Sequence, residues 1–243
     1  GDDRPGVGTK PSPAGRIPAE RPDFAWCGPD PARPGEPFPE GAFLMGGDPK
    51  AFNSSKQPFR CTRIQQPFLL AKYPVTVAQY RLFVQAKGYE NDAFWTPEGL
   101  AWRNGRADTS KWPGYLEEVK NRYLASDFPI SAPEDYAADF QTPNHPRVGV
   151  SWFEAVAFCR WLDATYTAEE LGLPGGWRVR LPTDAEWERA ARWPNGLEDK
   201  RPRFFPWGDP HSDEELTRRC NWHWAGLQRT SAVGLFSPDG DSA

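Results

Sequence analysis

Three carboxylates fall within five residues at Asp184, Glu186 and Glu188, directly after two alternating arginines, Arg178 and Arg180. Neighbouring carboxylates are the raw material of general acid–base catalysis, and arginine forks hold anions. A local account competes and is favoured. Thr183 stands three residues before Glu186, which is the spacing of a capping box, and acids in a first turn offset the helix dipole. Arg178 and Arg180 then read as partners for acids across a sheet. The four cysteines, Cys27, Cys61, Cys159 and Cys220, are widely separated and contain no Cys-x-x-Cys pair, which weakens a zinc reading. Cys159 lies on an apolar helix face and reads as a small buried hydrophobe. A Cys27–Cys61 bridge stands against four reduced thiols, and the thiols are favoured. The three histidines, His145, His211 and His223, are not at ligand spacing. His145 reads as a polar turn residue, and His223, between Trp222 and Trp224, as a surface or loop-packing residue.

The elements that would position these groups are short. Gly41–Gly46 reads as a strand closed by glycine, and Gln66–Pro74 as a second strand bounded by prolines. Thr76 to Ala86 is a helix with a Thr76/Gln79 capping box, an apolar face of Val77, Tyr80, Phe83 and Val84, and a stop at Gly88. Ser151 to Thr165 is a second helix with a Ser151/Glu154 box and a face of Ala155, Phe158, Cys159 and Leu162. Thr167–Leu171 adds a turn. Trp177–Leu181 alternates as a strand, and Thr183 starts a third helix with Trp187, Ala190 and Ala191 facing inward. Residues 89–146 form a long irregular insertion carrying Trp95, Trp102 and Trp112, which either line a binding surface or anchor the insertion to the body. The anchor reading is favoured. Trp26, Trp152, Trp161, Trp177, Trp187 and Trp207 are expected in the core. Residues 1–22 read as an extended Pro/Gly-rich arm and 23–243 as one domain.

Composition narrows the classes. Hydrophobic residues are 38%, but 12 Trp, 15 Phe and 7 Tyr supply rings large enough to build a core. Pro and Gly together make about a fifth of the chain, which points to a loop-rich fold. The net charge of −4, with no basic stripe, argues against nucleic acid. The chain has no apolar run of membrane-spanning length and no visible signal peptide. The expectation is a cytoplasmic, monomeric protein with no membrane partner.

Five motifs occur in a fixed order: Phe43-Leu-Met-Gly46, Tyr73-Pro-Val-Thr76, Asn144-His-Pro-Arg-Val-Gly-Val-Ser-Trp152, Trp177-Arg-Val-Arg-Leu-Pro-Thr-Asp-Ala-Glu-Trp187 and Phe205-Pro-Trp-Gly-Asp209. This order resembles the formylglycine-generating enzyme (sulfatase-modifying) family from about residue 23 onward. The resemblance implies an α+β, C-type lectin-like fold with two main helices and short antiparallel sheets. It also implies three kinds of activity. Some members are copper-dependent oxidases of a peptide cysteine. Others are iron enzymes of sulfoxide synthesis. Others are non-catalytic display proteins, including variable proteins of diversity-generating retroelements and recognition modules of bacterial signalling proteins.

The oxidases hold copper with a cysteine pair that follows a Gly-Asn-x-Trp-Glu-Trp motif, which would come after Phe236–Ala243, and Cys220 does not match that pair. The iron enzymes need a histidine cluster that this sequence does not show. The family's calcium site would begin at Asn221 with the Trp222 carbonyl, although the acids expected a dozen residues later have no clear match. The expectation is therefore a non-catalytic scaffold that recognises a protein or small ligand, in its most specific form a retroelement variable protein displaying a variable binding surface from its carboxyl-terminal region. The alternative is a copper-dependent formylglycine-generating (sulfatase-modifying) oxidase whose catalytic carboxyl-terminal segment is missing from this sequence. No residue is assigned a catalytic role, and calcium at Asn221 and Trp222 is the one metal given a site.

Overall fold

Three helices begin with the same device. In α1 (Val77–Gln85), α4 (Trp152–Thr165) and α5 (Asp184–Arg192), the Thr76, Ser151 or Thr183 side chain accepts the N3 amide while Gln79, Glu154 or Glu186 reaches back to the cap amide. Two orphan donors are satisfied at each start. The computed structural model describes residues 11–12, 15–16, 26–27, 36–47, 60–193, 203, 205–208 and 212–236. Shorter helices are α2 (Pro97–Arg103), α3 (Glu117–Leu124) and α6 (Asp213–Arg219). The strands pair two by two and antiparallel: β1 (Pro11–Ser12) with β2 (Gly15–Arg16), β3 (Trp26–Cys27) with β6 (Leu70–Ala71), and β4 (Gly41–Met45) with β5 (Arg60–Ile64). The result is a mixed helix and sheet protein with short antiparallel strands. The pairing of β1 with β2 falls inside the stretch read as an extended arm.

One core lies between α1, α4 and the insertion. Tyr80 and Phe83 of α1 and Phe158, Trp161 and Leu162 of α4 pack with Tyr89, Trp95, Trp102 and Tyr123. The rings touch edge-on or stacked, for example Tyr80 on Phe158 at 5.2 Å and Trp95 on Trp102 at 6.4 Å between centroids. Trp95 and Trp102 are buried and Trp112 is half-buried against them, so these tryptophans anchor the insertion. The segment read as irregular supplies two helices, of which α2 has a clear local start. Thr96 caps α2 with Pro97 in its first turn, and Arg103 ends it.

The end of α1 departs from the sequence reading. Lys87, not Gly88, takes the left-handed conformation at φ 57°. Gly88 donates back to the Phe83 carbonyl and Lys87 to that of Val84, which together form a Schellman turn. Gly88 is required for space, because a Cβ there would lie 1.9 Å from the Phe83 ring.

A second, smaller core joins β4 and β5 to α5. Phe38, Phe43, Ile64, Phe68, Ala190 and Trp193 are buried together. Side chains of α5 grip both ends of β4. Glu188 accepts the Gly46 amide at 2.7 Å, Arg192 donates to the Gly46 carbonyl at 2.8 Å, and Arg189 donates to the Gly41 carbonyl at 3.3 Å.

Several core expectations are corrected. Trp152 is 62% exposed and Trp187 is 59% exposed. Each sits off the buried stripe that its own capping box selects. In α4 the inward residues are Glu154, Ala157, Phe158, Trp161 and Leu162, and in α5 they are Glu186, Arg189, Ala190 and Trp193. Both stripes follow i, i+3, i+4, i+7 from the box glutamate, which leaves the bulky neighbour outside. Ala155 and Cys159 of α4 and Ala191 of α5 are half-buried. Trp26, Trp177 and Trp207 are also half-buried, and Trp161 is buried as expected.

Residues 177–181 form no strand. The amide of Val179 is taken by the Asp163 carboxylate of α4 at 2.9 Å, a side-chain partner in place of a ladder neighbour. Cys61 carries a free thiol, so the Cys27–Cys61 bridge is not formed.

Candidate functional site

The carboxylates and arginines that suggested chemistry are occupied with structure. Arg180 forks onto Glu186 with bonds of 2.7 and 2.6 Å, while Glu186 also accepts the Thr183 amide at 2.8 Å. The Arg180 guanidinium holds the Glu186 carboxyl below its ordinary range, and Glu186 in turn raises Arg180. Arg178 pairs with Asp163 at 2.8 Å. Both arginines therefore find acids, although on helices and not across a sheet. Glu188 is spent on β4, as described above.

Sequence reasoning missed the most perturbed titratable groups. Tyr80 and Tyr89 meet through their hydroxyls at 3.0 Å, and Tyr89 donates to Glu154 Oε1 at 2.5 Å. The second carboxylate oxygen of Glu154 accepts the Ser151 amide at 2.7 Å. Burial pushes the Glu154 carboxyl up, and burial beside that carboxyl pushes both tyrosines well above the usual phenol range. The three groups link α1, the turn after it and the start of α4. All three are buried, so a substrate in solvent has no access to them. The signal was present in the Ser151/Glu154 spacing, but nothing in the spacing showed that Glu154 would also serve a tyrosine pair.

A surface cavity of about 220 Å³ lies at the carboxyl end of α4. Tyr166, Trp177, Leu171 and Leu173 line it together with the Asp163–Arg178 ion pair.

The metal-ligand candidates stay apart. Cys61 is exposed on β5, Cys159 is half-buried in α4 with its thiol pushed up to about 12 by burial, then by Asp163, and Cys220 follows α6. Among the described residues no three His, Cys, Asp or Glu side chains gather as a metal site. These thiols do not fit a thiolate copper centre, which needs two soft ligands side by side.

Asn221 is exposed, and its amide nitrogen donates to the Arg229 carbonyl at 2.7 Å. The Trp222 carbonyl accepts the Ala225 amide at 3.0 Å. A calcium ion needs six to eight oxygens. At Asn221 it would draw the rest from backbone carbonyls and water. His145 sits in a turn with Nδ1 3.0 Å from Thr230 Oγ1, and its carbonyl takes the Val77 amide. His223 is exposed against Trp224. His211 lies outside the described residues.

The comparisons agree with the motif order. Residues 37–240 match the family model described as a sulfatase-modifying factor enzyme 1-like domain. The chain belongs to that family, whose members include the formylglycine-generating enzymes. It is 34% identical over 225 residues to the formylglycine-generating enzyme of Thermomonospora curvata, covering 84% of this chain and 64% of that protein. It is 28% identical over 237 residues to the hercynine oxygenase of Mycolicibacterium smegmatis, covering 93% of this chain and 44% of that protein. It is 29% identical over 180 residues to the inactive C-alpha-formylglycine-generating enzyme 2 of Mus musculus, covering 71% of this chain and 50% of that protein. The chain thus spans between somewhat under half and just under two thirds of these relatives. Among the described residues no helix is long and apolar enough to cross a membrane.

Proposed function

We propose that this chain is the body of a recognition scaffold of C-type lectin-like shape, with no reactive centre among its own described side chains. One observation carries the reading. The groups that could do chemistry are each consumed or isolated: Glu186 by Arg180, Glu188 by β4, Glu154 by Tyr89, and the described thiols by lying on three different elements with no metal-holding cluster. The ligand is a protein or small molecule. The surface that would take it is the cavity lined by Tyr166 and Trp177; Trp152, Trp187 and Trp224 are exposed elsewhere on the body. Rings exposed in this way are the residue type that dominates binding hot spots. In its most specific form the scaffold is a retroelement variable protein, acting as a monomer in the cytoplasm. A calcium ion on Asn221 and the Trp222 carbonyl would order the 221–229 loop. Calcium raising the melting temperature of wild type but not of Asn221→Ala supports that ion, and an equal response of both rejects it.

The second reading is a copper-dependent formylglycine-generating oxidase, and the 34% identity to the T. curvata enzyme favours it. Fold and family do not decide between them, because the same family description covers relatives with different printed activities. The deciding experiment incubates the full-length protein with copper(I), oxygen, a thiol reductant that supplies the two electrons needed to release the second oxygen atom as water, and a cysteine-containing sulfatase peptide, and follows the peptide by mass spectrometry. The scaffold reading expects unmodified cysteine and no tight thiolate–copper complex. Conversion of the cysteine to its aldehyde overturns it.

A further inference from the structure

The cavity at the carboxyl end of α4 has two opposite charges in its lining. The negative one is Asp163. Its Oδ1 accepts the Val179 amide at 2.9 Å, and its Oδ2 meets Arg178 Nη2 at 2.8 Å. A carboxylate has about four acceptor sites, so these two contacts do not saturate it, and its side chain is still 18% exposed. The helix end reinforces this pole. No basic residue lies in the last turn of α4, so the helix's own side chains leave the partial negative charge of its last carbonyls uncompensated. The positive charge is Arg178, which is 79% exposed. Among the described residues Asp163 is its one partner, which leaves Nε and Nη1 of the guanidinium for a ligand. Asp163 therefore orients the arginine without exhausting it.

Size and polarity bound the ligand further. The cavity measures about 220 Å³. Benzene occupies a cavity of about 150 Å³, and sites for drug-sized molecules run from about 300 to 1,000 Å³. This one has room for a small metabolite whose side group is no larger than a single ring. The surface it offers is more polar than apolar, which suits a ligand charged at both ends better than a greasy one.

We propose that this cavity binds a free α-amino acid, with the carboxylate on Arg178 and the ammonium on Asp163 and the carboxyl end of α4. An arginine suits the carboxylate, and a helix carboxyl end suits the ammonium. This ligand class rests on the reading of the cavity as the ligand site of the scaffold.

Each of the common amino acids is titrated into the full-length protein by calorimetry, and the tightest binder is repeated as its N-acetyl and carboxamide forms. At least one free amino acid should bind saturably. Each blocked form lacks one charge and should bind about tenfold more weakly or worse. Arg178→Gln should weaken the free amino acid by the same factor, and this exposed position leaves the fold intact. Asp163→Asn keeps an acceptor for the Val179 amide and should weaken the free amino acid more than the N-acetyl form. If Asp163→Asn does not fold, the N-acetyl arm carries that half of the test. No saturable binding by any amino acid overturns the proposal. So does binding that Arg178→Gln leaves unchanged, or an N-acetyl form that binds as tightly as the free amino acid, which would make the site one for a carboxylate alone. Aldehyde formation in the copper assay would overturn the scaffold reading without altering amino-acid binding, whereas absent binding would overturn this site and leave the scaffold reading in place.

Discussion

The capping boxes of α4 and α5 share one four-residue pattern but end in opposite electrostatic settings. At α4, Glu154 is sealed under Tyr89 and Tyr80, and burial raises its carboxyl pKa. At α5, Glu186 is buried against the half-exposed Arg180, and the ion pair lowers its carboxyl pKa. The third box, at α1, uses the neutral and buried Gln79. Cap geometry is therefore set locally, while the charge state is set by what packs on top. The α1–α4 side is held by rings and buried hydrogen bonds without an ion pair at the cap, and the α5–β4 side by charged side chains gripping backbone.

The largest blow to the α1–α4 side is Gly88→Ala. Its Cβ would meet the Phe83 ring directly, and about 3 kcal/mol of stability should be lost in urea unfolding. Tyr89→Phe comes next, at about 2 kcal/mol, because it leaves both Glu154 and the Tyr80 hydroxyl short of a buried partner. Glutamine in place of each box glutamate then separates the two boxes. Glu186→Gln removes the fork from Arg180 and should cost about 1 kcal/mol, after allowance for the 58% exposure of the arginine side chain. Glu154→Gln should cost less than about 1 kcal/mol, since Gln79 already does that task and an amide escapes the desolvation of a buried charge. Equal losses at both positions would dissolve the comparison.

The pH dependence should run in opposite directions. Glu186 has a lowered folded pKa, so its contribution is present above the unfolded carboxylate value and is lost as pH falls through the folded one. Glu154 has a raised folded pKa, so its contribution is greatest at low pH and declines as pH rises from the unfolded value to the folded one. Stability curves of the two glutamine variants, subtracted from wild type between about pH 3 and 7, should show slopes of opposite sign. The smallest effect is at Arg178→Ala. This side chain is 79% exposed, and the loss should stay below about 0.5 kcal/mol.

Much of the α1–α4 side was legible in the sequence because caps are written within four residues. Thr76, Ser151 and Thr183 each start a helix where the spacing places it. Properties that depend on a partner distant in sequence were not legible. Strand β5 carries an arginine at each of two outward positions and reads as loop until β4 lies beside it. Val179 was expected in a ladder, but its amide partner is a helix carboxylate sixteen residues back. Trp152 and Trp187 look like core by residue type alone, and only the box glutamates decide which stripe turns inward. At the candidate site the same limit holds. Spacing showed the carboxylates, but not that each was already taken.

The hold of α5 on β4 bears on how the molecule assembles. Glu188, Arg189 and Arg192 reach backbone groups 142 to 148 positions earlier in the chain. Each contact closes a very long loop, so its entropy must be met before it returns any enthalpy. Such pairings belong late on the folding route, after the local helices have formed. Once made, they should join the β4–β5 hairpin and α5 into one cooperative unit, whose amides exchange with solvent deuterium together.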